Sequence, residues 1–127
     1  MKKPNTSTAR YFPLFQKEAQ YWIDYFGLKT WEVMFTNLKD IENRATIGWK
    51  VIGRIAKINL ALDWEEGTEV VTALNVKKCA FHEVCELLLA RLGMMADGRI
   101  SNNKDLVTEE THAIIRTLEN TIFKARK

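Results

Sequence analysis

The residues able to do chemistry are few. The chain has two histidines and two cysteines in 127 residues. One histidine and one cysteine fall in the run Phe81-His82-Glu83-Val84-Cys85-Glu86. On a helix, His82 and Glu86 are four residues apart and project from one face, and Glu83 follows His82 by about a quarter turn. That is the spacing of an HExxH zinc helix with glutamate in the second ligand position. In such sites two helical ligands and one distant residue hold Zn²⁺ and leave a position open for water. The metal makes that water acidic, and the glutamate after the first histidine takes its proton during attack on a carbonyl. A carboxylate ligand makes the metal a weaker Lewis acid than an imidazole would.

The second histidine, His112, stands 30 positions further on, in Glu109-Glu110-Thr111-His112. On a neighbouring antiparallel helix it could face His82 and complete the set. Glu109 and Glu119 share its broad face, so either could ligate the metal or orient an imidazole from behind. The plain alternative is that Glu83 and Glu86 face solvent, His82 is a lone hydrogen-bonded histidine, and His112 is an ordinary first-turn surface residue. Burial favours the metal reading, because three ionisable groups on an otherwise apolar helix are costly to bury without partners or an ion. Cys79 and Cys85 lie three residues to either side of His82. A thiolate ligand is chemically feasible, but Cys85 falls on the apolar stripe, where cysteine behaves as a small hydrophobe. The same scarcity of histidine and cysteine excludes a four-cysteine zinc finger and any disulfide framework beyond one bridge.

Composition frames the site. Hydrophobic residues make up 46% and charged residues 28%, as in a globular domain of ordinary size. No stretch reaches the roughly 20 apolar residues that cross a bilayer, so no membrane partner is expected. Residues 1–10 are polar and lack the apolar core of a secretory signal; with reduced cysteines, the expectation is a cytoplasmic protein. The net charge of +3 permits nucleic-acid contact without demanding it, and no block of like charge supports it.

The elements that must position these residues follow from periodicity. Residues 1–10 read as a flexible lead-in and 11–127 as one domain. Phe12, Phe15, Ala19, Trp22, Ile23 and Phe26 give residues 11–26 the spacing of an amphipathic helix, stopped by Gly27. Residues 31–38, 44–52 and 55–62 alternate as strands, the last two joined by a tight turn at Gly53-Arg54 into an antiparallel hairpin beside the first. Asn75 is the expected cap of a second helix that runs to about Leu92 and closes at Gly93, with Phe81, Val84, Cys85, Leu88 and Leu92 as its core stripe. Residues 94–107 read as a long polar connection. Thr108 then caps a last helix, with Glu109 and Glu110 in its first turn and Ile115, Leu118 and Ile122 inward. Trp22, Trp31 and Trp49 are expected in the core and Trp64 half exposed. The class is α+β.

With that order in place, Ala56-Lys57-Ile58-Asn59-Leu60-Ala61-Leu62, a short acidic connection and Cys79-Ala80-Phe81-His82-Glu83-Val84 resemble the core of SprT-like zincin metallopeptidases. There a strand of the form I-x-L-S leads to a helix beginning L-x-H-E-h-x-H. The closer likeness is to small phage-encoded metallopeptidases of the minimal zincin type, from the hairpin through the last helix. The resemblance implies a minimal zincin-like α+β fold with an N-terminal helix, a three-stranded mainly antiparallel sheet, a motif helix and a C-terminal helix. It implies a Zn²⁺ cofactor, His82 as first ligand, Glu83 as general base, Glu86 in the second ligand position and His112 as third ligand. It also implies a peptide or protein substrate, with the host cytoplasm as the setting for a phage-encoded chain. The peptide would lie antiparallel along residues 55–62, with Lys57 and Asn59 facing it or solvent and residues 94–107 as one wall. Tyr11, Tyr21, Tyr25 and Arg116 are candidates to stabilise an oxyanion. The departure from the pattern is Glu86, where histidine is usual. A catalytically inactive zincin-like binding protein, with or without metal, is the second reading, and a structural or nucleic-acid-associated domain the third.

Overall fold

A computed structural model of the chain describes residues 6–65, 70–99 and 104–126. Helix α1 (Phe12–Tyr25) is followed by strands β1 (Glu32–Leu38), β2 (Ala45–Lys50) and β3 (Ile55–Ala61). Helices α2 (Ala73–Arg99) and α3 (Lys104–Leu118) complete the order, and α3 runs into a π-helical turn, Glu119–Phe123. The architecture is α+β, with one face of the sheet covered by helices. Among the described residues no helix is long and apolar enough to cross a membrane.

The sheet departs from the mainly antiparallel arrangement expected. Its order is β1-β3-β2, with β1 parallel to β3 and β2 antiparallel to β3. The hairpin forms, but the strands are joined by a four-residue loop, 51–54, closed by the Arg54 N–H on the Val51 carbonyl at 3.1 Å, rather than by a two-residue turn; Gly53 and Arg54 both take positive φ, 87° and 51°. The third strand, not the second, takes the centre because its inward row is the most apolar: Ala56, Ile58 and Leu60 are all buried. This overturns the expected substrate path along residues 55–62, since both edges of β3 are already hydrogen-bonded. Asn59 is engaged within the sheet: it accepts from the Thr36 hydroxyl and donates to Thr46 Oγ1 at 3.1 Å. Lys57 is exposed on the same outer face.

Helix α1 buries Phe15, Ala19, Trp22 and Ile23, the stripe its spacing predicts. It ends at Gly27, whose φ of 70° suits a residue without Cβ, and the Leu28 N–H returns to the Ile23 carbonyl at 2.8 Å. The cap of α2 lies three residues before the expected one. Thr72 caps it, its Oγ1 accepting from the Asn75 N–H at 3.1 Å, while the Asn75 side chain donates to the Val70 carbonyl. The helix also passes Gly93 and Gly98 without stopping. An interior glycine costs about 1 kcal/mol, which the good helix formers Met94, Met95 and Ala96 offset. Most of residues 94–107 is therefore helical rather than a loop, and Thr108 lies inside α3 instead of capping it. Residues 100–103 of that connection lie outside the described residues.

The core gathers Phe15, Trp22, Ile58, Leu60, Phe81, Val84, Cys85 and Ile115 around the α1–α2 contact. Leu87 is buried against Trp31 and Ala56, whereas Leu92, expected on the stripe, is 60% exposed because α2 outruns the sheet. Two tryptophans exchange their expected places. Trp49 is 38% exposed near the end of edge strand β2, and Trp64 is 3% exposed, its indole N–H donating to the Arg44 carbonyl at 3.3 Å. Trp64 is drawn in by the chain beside it: its N–H donates to the Thr6 carbonyl, and Thr8 is buried with its hydroxyl on the Ala61 carbonyl at 2.6 Å. Residues 6–8 are thus tied to the end of β3, and Ala9–Tyr11 form a 3-10 turn leading into α1, so this part of the expected lead-in is ordered; residues 1–5 lie outside the described residues.

One buried charge closes the far end of the molecule. Glu18 on α1 accepts from the Trp22 indole N–H at 2.8 Å and pairs with Arg126, whose guanidinium lies 3.5 Å over the Tyr21 ring. Arg126→Ala leaves the Glu18 carboxylate buried with one partner fewer, so it is expected to lower stability by roughly 1–3 kcal/mol. Glu18→Gln in that background should recover part of the loss, as read from urea midpoints; equal midpoints for wild type and Arg126→Ala would refute the clamp.

Candidate metal centre

The centre is built on the seam between α2 and α3. His82, Glu83 and Glu86 come from α2, whose rotation is set by Phe81. That ring packs against Trp22 at 4.7 Å and Phe123 at 5.3 Å, which turns His82 and Glu86, on the adjoining face, toward α3. The helices run antiparallel: His112 Nε2 lies 3.6 Å from Glu86 Oε1, and Glu119 Oε2 lies 3.6 Å from His82 Nδ1. His82 Nε2 lies 3.9 Å from Glu86 Oε2. The ligand atoms of His82, Glu86 and His112 all fall within 4.8 Å of one another.

These separations can be set against an ion. Zinc bonds of about 2.0–2.2 Å in a tetrahedron hold ligand atoms roughly 3.3–3.6 Å apart. The contacts of 3.6 and 3.9 Å are close to that but involve different oxygens of Glu86, so the three side chains must draw in from the 4.8 Å that bounds one ligand atom from each. All three side chains are partly exposed, lining a hollow of about 570 Å³ that leaves one side of the group open. The residues present therefore fit a metal ion with an open position.

The carboxylates around the group have distinct roles. Glu119, 13% exposed, stands at Nδ1 of His82 at ion-pair distance and holds that imidazole above its ordinary pKa, against the opposing effect of burial. It orients the first histidine of the motif rather than His112. Glu109 is exposed and does not line the hollow. Glu83 is only 4% exposed. Burial first, and then the charge of Glu86, push its carboxyl up to about 8, although His82 and Arg44 pull the other way. A dication held by the neighbouring ligands would favour its ionised form.

The cysteines do not join the group. Burial pushes the Cys85 thiol up to about 12, so it packs as a hydrophobe. Cys79 lines the hollow outside the set of converging ligand atoms. Of the four oxyanion candidates, Arg116 lines the hollow. Tyr21 and Tyr25 stack on each other at 6.3 Å beside Trp22, and Tyr11 packs on the core. Arg44, in the connection before β2, also lines the hollow. Its sequence context carries no signal, because only the crossing of that connection over the end of β3 brings it to α2. Lys78 had a signal, its place four residues before His82 on the same helical face.

The buried carboxyl makes metal-free stability depend on pH. The folded chain binds the Glu83 proton more tightly than the unfolded chain, so this contribution is full below about 4.5 and is lost as pH rises toward 8. His82, also raised, acts in the same direction above its ordinary value of 6.5. In chelator, the unfolding free energy from urea titrations should fall between about pH 5 and 8, by an amount on the order of a few kcal/mol. Glu83→Gln should remove most of the slope and exceed wild type at the alkaline end; an unchanged slope would contradict the burial of this group.

No protein-family model matches the chain, and no curated protein or solved structure is significantly similar to it, so the convergence of His82, Glu86 and His112 beside buried Glu83 is what carries a functional reading.

Proposed function

We propose that the protein is a zinc-dependent metallopeptidase of minimal zincin type, hydrolysing peptide bonds in a peptide or protein substrate in the cytoplasm. The observation that carries the reading is the convergence of two imidazoles and one carboxylate within 4.8 Å, with a second, buried carboxyl in the same hollow. Two histidines and a glutamate form a donor set used by catalytic zinc. When bound, zinc would acidify a coordinated water and polarise the peptide carbonyl.

The chain's own residues divide the remaining work. His82, Glu86 and His112 hold the ion. Glu119 at Nδ1 of His82 fixes that ring so that Nε2 faces the ion. The Glu83 carboxylate takes up a proton during attack and returns it to the leaving amine nitrogen. The substrate backbone is received by β2, the edge strand whose start, at Ala45, lines the hollow; its outer edge is available to an extended peptide. The presence of a carboxylate at Glu86, which weakens the metal as a Lewis acid, favours as second reading a metal-holding binding protein without catalysis.

Protein purified without added zinc is expected to carry about one Zn²⁺ per chain, as in three-ligand sites that keep one position open, and His82→Ala or His112→Ala should lose it. Glu83→Gln should keep the metal while cleavage of an unfolded protein falls on the order of 10²- to 10⁴-fold. Zinc-loaded wild type that cleaves no unfolded substrate would favour the binding protein. A chain that takes up no metal even after reconstitution would overturn both.

A further inference from the structure

The metal hollow contains more positive charge than an ion site can use. Lys78 stands one helical turn before His82 on α2, and Arg116 one turn after His112 on α3. Arg44 enters from the connection before β2, and all three line the same hollow as the ligands. Each comes from a different element, so no single amphipathic face explains them. Together they balance the three carboxylates of the hollow, Glu83, Glu86 and Glu119. A bound dication then leaves its two charges uncompensated.

Cations beside a cation site oppose the binding of its ion, by an amount that grows as solvent is excluded. They become favourable once an anionic group enters with the substrate, because metal and side chains then attract it together. The neighbouring hollow sets the direction. It meets the first at Asn43 and Arg44 and is lined by Asp40, Glu42, Asp63 and Glu65 against Lys39. An anion is disfavoured there and favoured at the metal.

We propose that this site selects peptides bearing a carboxylate next to the scissile bond, supplied by an acidic side chain or by the C-terminus of the substrate. The proposal rests on the metallopeptidase reading and names its substrate class. Arg116 and Lys78, both exposed, receive the carboxylate; neither holds metal nor moves the proton.

The test uses zinc-loaded full-length chain and short peptide hydroxamates that differ only in Glu or Gln beside the hydroxamate, with affinities read by calorimetry. The Glu probe is expected to bind on the order of tenfold more tightly, with the difference shrinking at high salt. Arg116→Gln and Lys78→Gln should each erode the difference, and Lys78→Gln should leave the affinity of the Gln probe unchanged. A Gln probe ending in a free carboxylate rather than an amide separates the two sources: tighter binding of the free acid assigns the carboxylate to the chain terminus. Equal affinity across all probes overturns the proposal, and so does a Glu preference that survives both substitutions. Failure of the metallopeptidase reading shows differently. If the Gln probe binds zinc-loaded protein but no peptide is cleaved, the enzyme is lost and the Glu-to-Gln ratio still decides the carboxylate preference. If no metal binds, even after reconstitution, the uncompensated charge is gone and the proposal falls together with the reading it rests on.

Discussion

The candidate centre depends on one contact, the antiparallel seam of α2 and α3 with Phe81 locked into the core beside it. Phe81 is fully buried among Trp22, Phe26 and Phe123, and Ile115 is buried from the α3 side. Burying an aromatic side chain of this kind contributes about 2–3 kcal/mol and allows α2 only one rotation about its axis. Once that rotation is set, His82 and Glu86 face α3, and Glu83 is carried down toward the sheet. The π-helical turn begins at Glu119 itself, so the widening falls where a carboxylate must meet His82. Single-turn π segments are frequent at functional sites.

The arrangement is made at a cost in stability. A carboxyl as buried as Glu83 is disfavoured in its charged form, and Glu86 beside it raises the penalty further. Apolar residues of the same volume would make a more stable seam. Folding positions these groups in advance, and the binding energy of an ion would offset what their burial costs. The Glu18–Arg126 pair at the opposite end works without an ion, since a cation and the Trp22 indole N–H already satisfy the buried carboxylate.

What was legible in the sequence was whatever depends on local period. The four-residue step from His82 to Glu86, the α1 stripe and the β2–β3 hairpin follow from helix and hairpin geometry. His112 was found by scarcity, as the only other imidazole in the chain. What escaped was set by tertiary competition. The insertion of β3 between β1 and β2 depends on which strand buries its inner row best. The fates of Trp49 and Trp64 depend on where the sheet ends and on how residues 6–8 cross the chain after β3. Glycine as a helix stop failed at Gly93, because glycine weakens a helix without forbidding it. Arg44 could not be assigned to the site without the order of the strands.

Glu86 is the member of the motif whose meaning the geometry changes most. Read as a sequence, it is a substitute for histidine and a weakness in the zinc site. In the folded chain its two oxygens face two different rings, Oε2 toward His82 and Oε1 toward His112. A single carboxylate therefore bridges both imidazoles across the seam. Histidine at this position would bring a third ring of the same kind, able to accept from one partner at most and repelled by it when both are protonated. With glutamate, the negative charge favours the two rings facing inward before any ion arrives, and the same oxygens can turn to the ion when it does. A bound metal would receive a more donating ligand and polarise a carbonyl less. The residue that would make such a metal a poorer Lewis acid is thus the one that faces both imidazoles across the seam.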